Sequence, residues 1–214
     1  MNKPLLVLLC LVSFSYCSGI KDVTCGSIIK LKHKTGFYLH SHEVKYGTGS
    51  HQQSVTCFPE ATDSNSYWIV EAGLGNPPCS ASEPIPCNSR IRLLHLNTKK
   101  RLHSHLFTSP LSGQQEVSCF DGLDTGDNWI IECDAKSGPT WRRDRAIRLR
   151  HEDTNNYLHS HDVSYNAPIH GQREVTCYQT KKDSNNLWKA EEGIYFGSWG
   201  SDEGEDGEEA DDDL

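Results

Sequence analysis

Three histidine pairs stand out as groups able to do chemistry: His40/His42, His103/His105 and His159/His161, each inside a Leu-His-Ser-His tetrapeptide at 39–42, 102–105 and 158–161. Two imidazoles one residue apart can hold a metal, relay a proton beside a serine, or hydrogen-bond the surrounding chain. Metal binding is disfavoured, because a structural zinc site takes about four ligands in tetrahedral geometry. Each pair would need two more, and no Asp, Glu or Cys is evident beside all three tetrapeptides. Nucleophilic catalysis is disfavoured by strand geometry. Side chains at i and i+2 share a face and adjacent ones point apart, so Ser41, Ser104 and Ser160 turn away from the histidines they would need. Neither a Gly-x-Ser-x-Gly elbow, a His-Glu-x-x-His motif nor a phosphate-cradling glycine loop occurs. The expectation is a chain with no catalytic residues, no metal and no cofactor, whose imidazoles fix a loop or contribute to a binding surface.

The elements that position these residues repeat with them. Each tetrapeptide follows an alternating lead-in, "SIIKLKH", "RIRLLH" or "AIRLRH". Each precedes a loop that ends in "QQSVTCF", "QQEVSCF" or "QREVTCY", and then an aromatic segment, "DSNSYWIVE", "DTGDNWIIE" or "DSNNLWKAE". Alternation of apolar and polar residues marks half-buried strands, and Asn, Asp, Gly and Thr supply the turns. Four strands in each of three repeats give an all-β chain of twelve strands. A pseudo-threefold β-trefoil, a closed barrel capped by three hairpins, leaves no sheet edge exposed and is the expected architecture. The repeats span 20–76, 82–137 and 138–194, within one domain of about 23–196.

The loops after the tetrapeptides, "EVKYGTGSHQQ", "LFTSPLSGQQ" and "DVSYNAPIHGQR", are rich in Gly, Ser, Tyr and Gln. Loops on a rigid barrel often carry binding residues. Tyr46, Gln52, Gln53, Gln114, Gln115, Tyr165, Gln172 and Arg173 therefore join the six histidines as candidates for contact with a glycan or an extended peptide. The alternative is that the amides only bond buried loop backbone. Tyr46 and Tyr165 correspond, with Thr108 near that place in the second repeat. The basic run Trp-Arg-Arg-Asp-Arg at 141–145 reads either as a partner contact or as a solvated connector.

Residues 1–19, with Lys3 before an apolar run and small residues at the end, read as a secretory signal peptide, shorter than a membrane span. Residues 201–214 hold nine acids and no base, and read as a disordered tail. The chain's net charge of −8 comes from this tail: without it and Lys3, 20 basic residues face 20 acidic ones, which offers no basic surface for nucleic acid. The final Asp-Asp-Asp-Leu resembles an endoplasmic reticulum retrieval signal with Asp211 where a basic residue is usual. Of nine cysteines, Cys25 and Cys87 sit alike before the first strands, and Cys79 and Cys133 follow the fourth strands of the same repeats. Pairing Cys25 with Cys79 and Cys87 with Cys133 respects the symmetry; Cys79–Cys87 with Cys25–Cys133 is the alternative. Cys57, Cys119 and Cys177 are equivalent to one another and read as buried thiols.

The triplicated Leu-His-Ser-His, Gln-x-x-Val-[Thr/Ser]-Cys-[Phe/Tyr] and Trp pattern resembles the MIR domain. A signal peptide followed by three such motifs is similar to the stromal cell-derived factor 2 family. The resemblance implies a β-trefoil resident in the endoplasmic reticulum lumen. It implies a part in protein quality control beside an Hsp70-class chaperone and its J-domain partner, contact with client polypeptides, and a link to O-mannosylation. A secreted glycan-binding lectin is the competing expectation.

Overall fold

The computed structural model describes residues 21–197; the stretches read as a signal peptide (1–19) and an acidic tail (201–214) lie outside them. Twelve strands form: β1 (Ile28–His33), β2 (Tyr38–Lys45), β3 (Gln53–Phe58), β4 (Tyr67–Ala72), β5 (Arg90–His95), β6 (Arg101–Thr108), β7 (Gln115–Phe120), β8 (Trp129–Cys133), β9 (Ala146–His151), β10 (Tyr157–Ser164), β11 (Arg173–Tyr178) and β12 (Trp188–Ile194). First and fourth strands of the repeats pair around a ring, β1–β4–β5–β8–β9–β12, and β12 returns to β1 to close it. Second and third strands form the hairpins β2–β3, β6–β7 and β10–β11, whose third strands pair with one another at the cap. The chain is a β-trefoil.

Alternation in the barrel strands turns Ile29, Leu31, Ile91, Leu93, Ile147 and Leu149 inward, all at most 1% exposed. Above them sit Trp68, Trp129 and Trp188, and each indole donates a 2.9 Å bond to the carbonyl of the motif leucine of its own repeat, Leu39, Leu102 or Leu158. The buried indole N–H is thus satisfied, and the hairpin is pinned to the barrel. Cys57, Cys119 and Cys177 are buried among these residues as free thiols, and burial pushes each up to about 12.

The barrel's other end is sealed by three bridges, Asp22–Arg142, Thr24–Pro84 and Pro86–Thr140, around Val23, Ile85 and Trp141. Trp141 is fully buried, so the run 141–145 is no solvated connector throughout. Its Arg143 guanidinium lies 3.7 Å over the Tyr195 ring, and Arg142 pairs with Asp144 at 2.8 Å. Disulfides join Cys25 to Cys79 and Cys87 to Cys133, with Cα separations of 6.0 and 5.7 Å, the symmetric of the two pairings. Each of these repeats is stapled where it opens and closes.

Candidate functional site

The two histidines of each tetrapeptide differ in role. His40, His103 and His159 are at most 4% exposed, although they point away from the leucine face. Strand alternation alone would leave that face wet. A short 3₁₀ turn preceding the fourth strand (Ser64–Ser66, Thr125–Asp127, Ser184–Asn186) folds over it. The rings pack on Phe58, Phe120 and Tyr178 at centroid distances of 5.0, 4.9 and 5.0 Å. His159 Nδ1 meets Asn186 Oδ1 at 2.8 Å, and His103 Nδ1 meets Asp127 Oδ1 at 3.0 Å. His40 lies 3.8 Å from Asp63. An aspartate therefore does recur in the covering turn of every repeat, at Asp63, Asp124 and Asp183, where each caps the turn. Distance along the chain hid it from the tetrapeptides. Burial holds His40 down at about 4 and lowers His159 as well.

The second histidines are half-buried. His105 Nε2 lies 3.1 Å from Glu116 and His161 Nε2 2.9 Å from Glu174, both fully buried carboxylates. The first repeat has Ser54 in that place, and His42 Nε2 has no partner there. Each glutamate reaches into the loop of the preceding repeat. Glu116 accepts from the Ser50 backbone at 3.3 Å and from its hydroxyl; Glu174 accepts from the backbone of Leu111 at 2.9 Å and Ser112 at 3.2 Å. Burial alone would raise Glu174, but the bonds from His161, Ser112 and Leu111 hold it below the ordinary carboxylate value. Sequence reasoning passed over these glutamates, whose signal is the Glu-Val shared by β7 and β11.

The amides serve the scaffold. Gln52 accepts from Ser118 at 2.5 Å, Gln114 from Thr176 at 2.6 Å and Gln172 from Thr56 at 2.5 Å, a ring joining each repeat to a neighbour. Gln53 donates to Ser41 and Thr98, and Gln115 to Ser104 and Thr154, all at 2.8–2.9 Å. Arg173 instead stacks 3.9 Å over Phe37 and pairs with Asp162 at 3.0 Å. Tyr46 and Tyr165 are buried at the cap with ring centroids 6.5 Å apart, and the Tyr46 hydroxyl lies 3.0 Å from Val55 O and 2.9 Å from Val117 O. Their counterpart is Ser109, one residue beyond Thr108, since Ser109 N bonds Gln114 O as Tyr46 N bonds Gln52 O. A partner at the surface does not reach His40, Tyr46, Gln53, His159, Tyr165 or Gln172 unless the cap opens. Three further histidines that the sequence reading left aside, His33, His95 and His151, are buried against Trp188, Trp68 and Trp129 and bond the 3₁₀ turns of adjacent repeats.

A concavity lies between repeats two and three. It encloses about 670 Å³ and is walled by His103, His105, Gln115, Asp124, His151, Asp153 and Asn156. Its rim carries Leu106, 87% exposed, beside Phe107, 52% exposed. In repeats one and three those positions hold Glu43-Val44 and Asp162-Val163. Carboxylates, amides and hydroxyls converging beside apolar side chains form a site suited to a polyhydroxylated ligand. Among the described residues one group could hold a metal: the ligand atoms of His103, Asp124 and Asp127 lie within 4.8 Å of one another.

Residues 36–197 match the MIR domain family model. The chain is 45% identical to stromal cell-derived factor 2 of Homo sapiens over 90% of its length and 91% of the relative's. Among solved structures, the SDF2-like protein of Arabidopsis thaliana superposes with a TM-score of 0.78 at 49% identity, covering 82% of this chain and 98% of that one. The S. cerevisiae protein O-mannosyltransferase complex bound to the sugar donor superposes at 0.72 with 35% identity, covering 82% of this chain and 26% of that chain. This chain therefore corresponds to about a quarter of the transferase chain it matches. With the repeat, the trefoil and these likenesses in agreement, the chain belongs to the MIR domain family and is a relative of stromal cell-derived factor 2.

Proposed function

We propose that the protein is a non-catalytic recognition component of the endoplasmic reticulum lumen. It engages unfolded or O-mannosylated client polypeptides and works beside an Hsp70-class chaperone and its J-domain partner. The observation that carries the reading is the cleft between repeats two and three, where hydroxyl-matching groups meet an exposed Leu106–Phe107 edge. Such a site takes a sugar and the peptide bearing it together. Relationship to stromal cell-derived factor 2 and to a part of a protein O-mannosyltransferase supports the secretory pathway and the link to mannosylation. The Asp-Asp-Asp-Leu terminus, outside the described residues, would serve as a variant retrieval signal. The motif serines support a non-enzymatic role: Ser41, Ser104 and Ser160 are buried and donate to the carbonyls of Ser54, Glu116 and Glu174 at 2.7, 2.6 and 2.9 Å. Their hydroxyls are committed to backbone.

Titrating an O-mannosylated peptide and its unmodified twin into the protein tests the glycan half. The modified peptide binds more tightly, and Asn156→Ala removes the difference; equal affinity for both peptides rejects it. Cross-linking and affinity purification from native secretory-pathway lysate tests the partner half. Recovery of an Hsp70-class chaperone with its J-domain protein supports it. Glycan binding with no chaperone recovered favours the lectin reading, which the same cleft would serve.

A further inference from the structure

We infer that the second repeat contains a divalent-cation site formed by His103, Asp124 and Asp127. This goes beyond the proposed function and stands without it. In repeats one and three the position of Asp127 is held by neutral Ser66 and Asn186, so the second repeat alone sets two carboxylates beside its buried histidine. His103 Nδ1 lies 3.0 Å from Asp127 Oδ1 and 3.5 Å from Asp124 Oδ1. Around a tetrahedral ion with bonds of about 2.0–2.1 Å, neighbouring ligand atoms are about 3.3 Å apart. Both carboxylates already stand near that spacing from the imidazole nitrogen, and all three ligand atoms lie within 4.8 Å of one another.

A second observation points to an unfilled demand. Asp127 is 0% exposed, and its Oδ2 is buried without a hydrogen-bond partner. A carboxylate oxygen in that state is costly unless a cation or donor meets it. In the third repeat, Asn186 satisfies the same place with its amide, which donates to Thr180 O at 2.9 Å while its Oδ1 faces His159. Asp127 has no amide to donate. Its neighbours allow entry: Asp124 is half-exposed, and both it and His103 line the cleft, so an ion arrives from solvent and keeps open positions facing that space. One imidazole nitrogen and two carboxylates suit a borderline ion of the Zn²⁺ or Mn²⁺ class better than Ca²⁺, which takes oxygen ligands throughout. Binding needs a neutral imidazole with Nδ1 free and its proton on Nε2.

Isothermal titration of ZnCl₂ into the chelator-treated full chain tests the inference. The wild type binds one equivalent with an affinity well above that of the acidic tail's background. Asp127→Asn, which copies the third repeat, lowers that affinity at least tenfold and abolishes the zinc-induced rise in Tm. Asp124→Asn keeps the turn cap, because its side chain still accepts from Gly126 N, and produces the same loss. Asp63→Asn, in the first repeat, leaves binding unchanged. A wild type showing background binding only, or Asp127→Asn and Asp124→Asn variants that titrate like the wild type, overturns the site.

Discussion

The second and third repeats share their cap chemistry and differ at their surfaces. Both set a buried glutamate against the motif's second histidine and use it to hold the loop of the preceding repeat. Yet the second has Leu106 where the third has Asp162, Ser109 where it has Tyr165, Asp127 where it has Asn186, and a disulfide where it has none. Positions that agree between the repeats bond the scaffold to itself. Of those that disagree, Leu106 lines the cleft between them and Asp127 contacts His103 in its wall. In a molecule built by triplication, symmetry records what folding requires, and departures from it mark where a single repeat has acquired a separate task.

This division predicts a graded series of effects. Replacing Trp68, Trp129 or Trp188 by Ala is expected to cost about 3–5 kcal/mol in denaturant unfolding, by a similar amount at all three sites. A much smaller loss at one of them would break the equivalence. Removing Cys87–Cys133 by a double Ser substitution is expected to cost about 2–4 kcal/mol, measured in the same way. Glu174→Gln weakens the bonds to the Leu111 and Ser112 backbone and is expected to cost about 2 kcal/mol. It should also raise hydrogen exchange in the 109–114 loop of the second repeat more than in the third repeat's own loop.

Acid should weaken the fold from below neutrality. Burial holds His33 and His40 at about 4 in the folded chain, against 6.5 when unfolded. The unfolded state therefore binds more protons in that window, and the stability is fully present above pH 6.5 and lost as pH falls towards 4. Each histidine contributes up to about 1.4 kcal/mol per pH unit there, which denaturation at stepped pH would reveal. Glu174, held low, adds to the loss further down. The smallest effect belongs to the cleft rim. Leu106→Glu, which copies the first repeat at an 87% exposed site, should change stability by less than about 0.5 kcal/mol while weakening client binding in the peptide titration.

The sequence made the architecture legible because each repeat spells out the same strands and turns, and the cysteine positions obeyed the same register. The site was less legible for a physical reason. Alternation tells which side chains oppose the core, but not whether something covers them. His40 is buried by a turn capped at Asp63, more than twenty residues on, and Gln52 finds its partner at Ser118 in another repeat. The first contact needs a long fold-back within one repeat, and the second arises only once the threefold closure brings the repeats together. The one-residue slip at Thr108 had a similar origin, since Ser109 keeps the backbone bond of Tyr46 without its ring.

The pairing of β1 with β12, where Ile28 lies opposite Ile194, governs how the protein must be made. The ring cannot close until β12 has been synthesised, long after β1. Contacts spanning so much sequence slow folding, and during synthesis the barrel strands of the first repeat wait with unpaired edges in a crowded compartment. A protein proposed to attend to unfinished clients thus passes through a long unfinished state of its own.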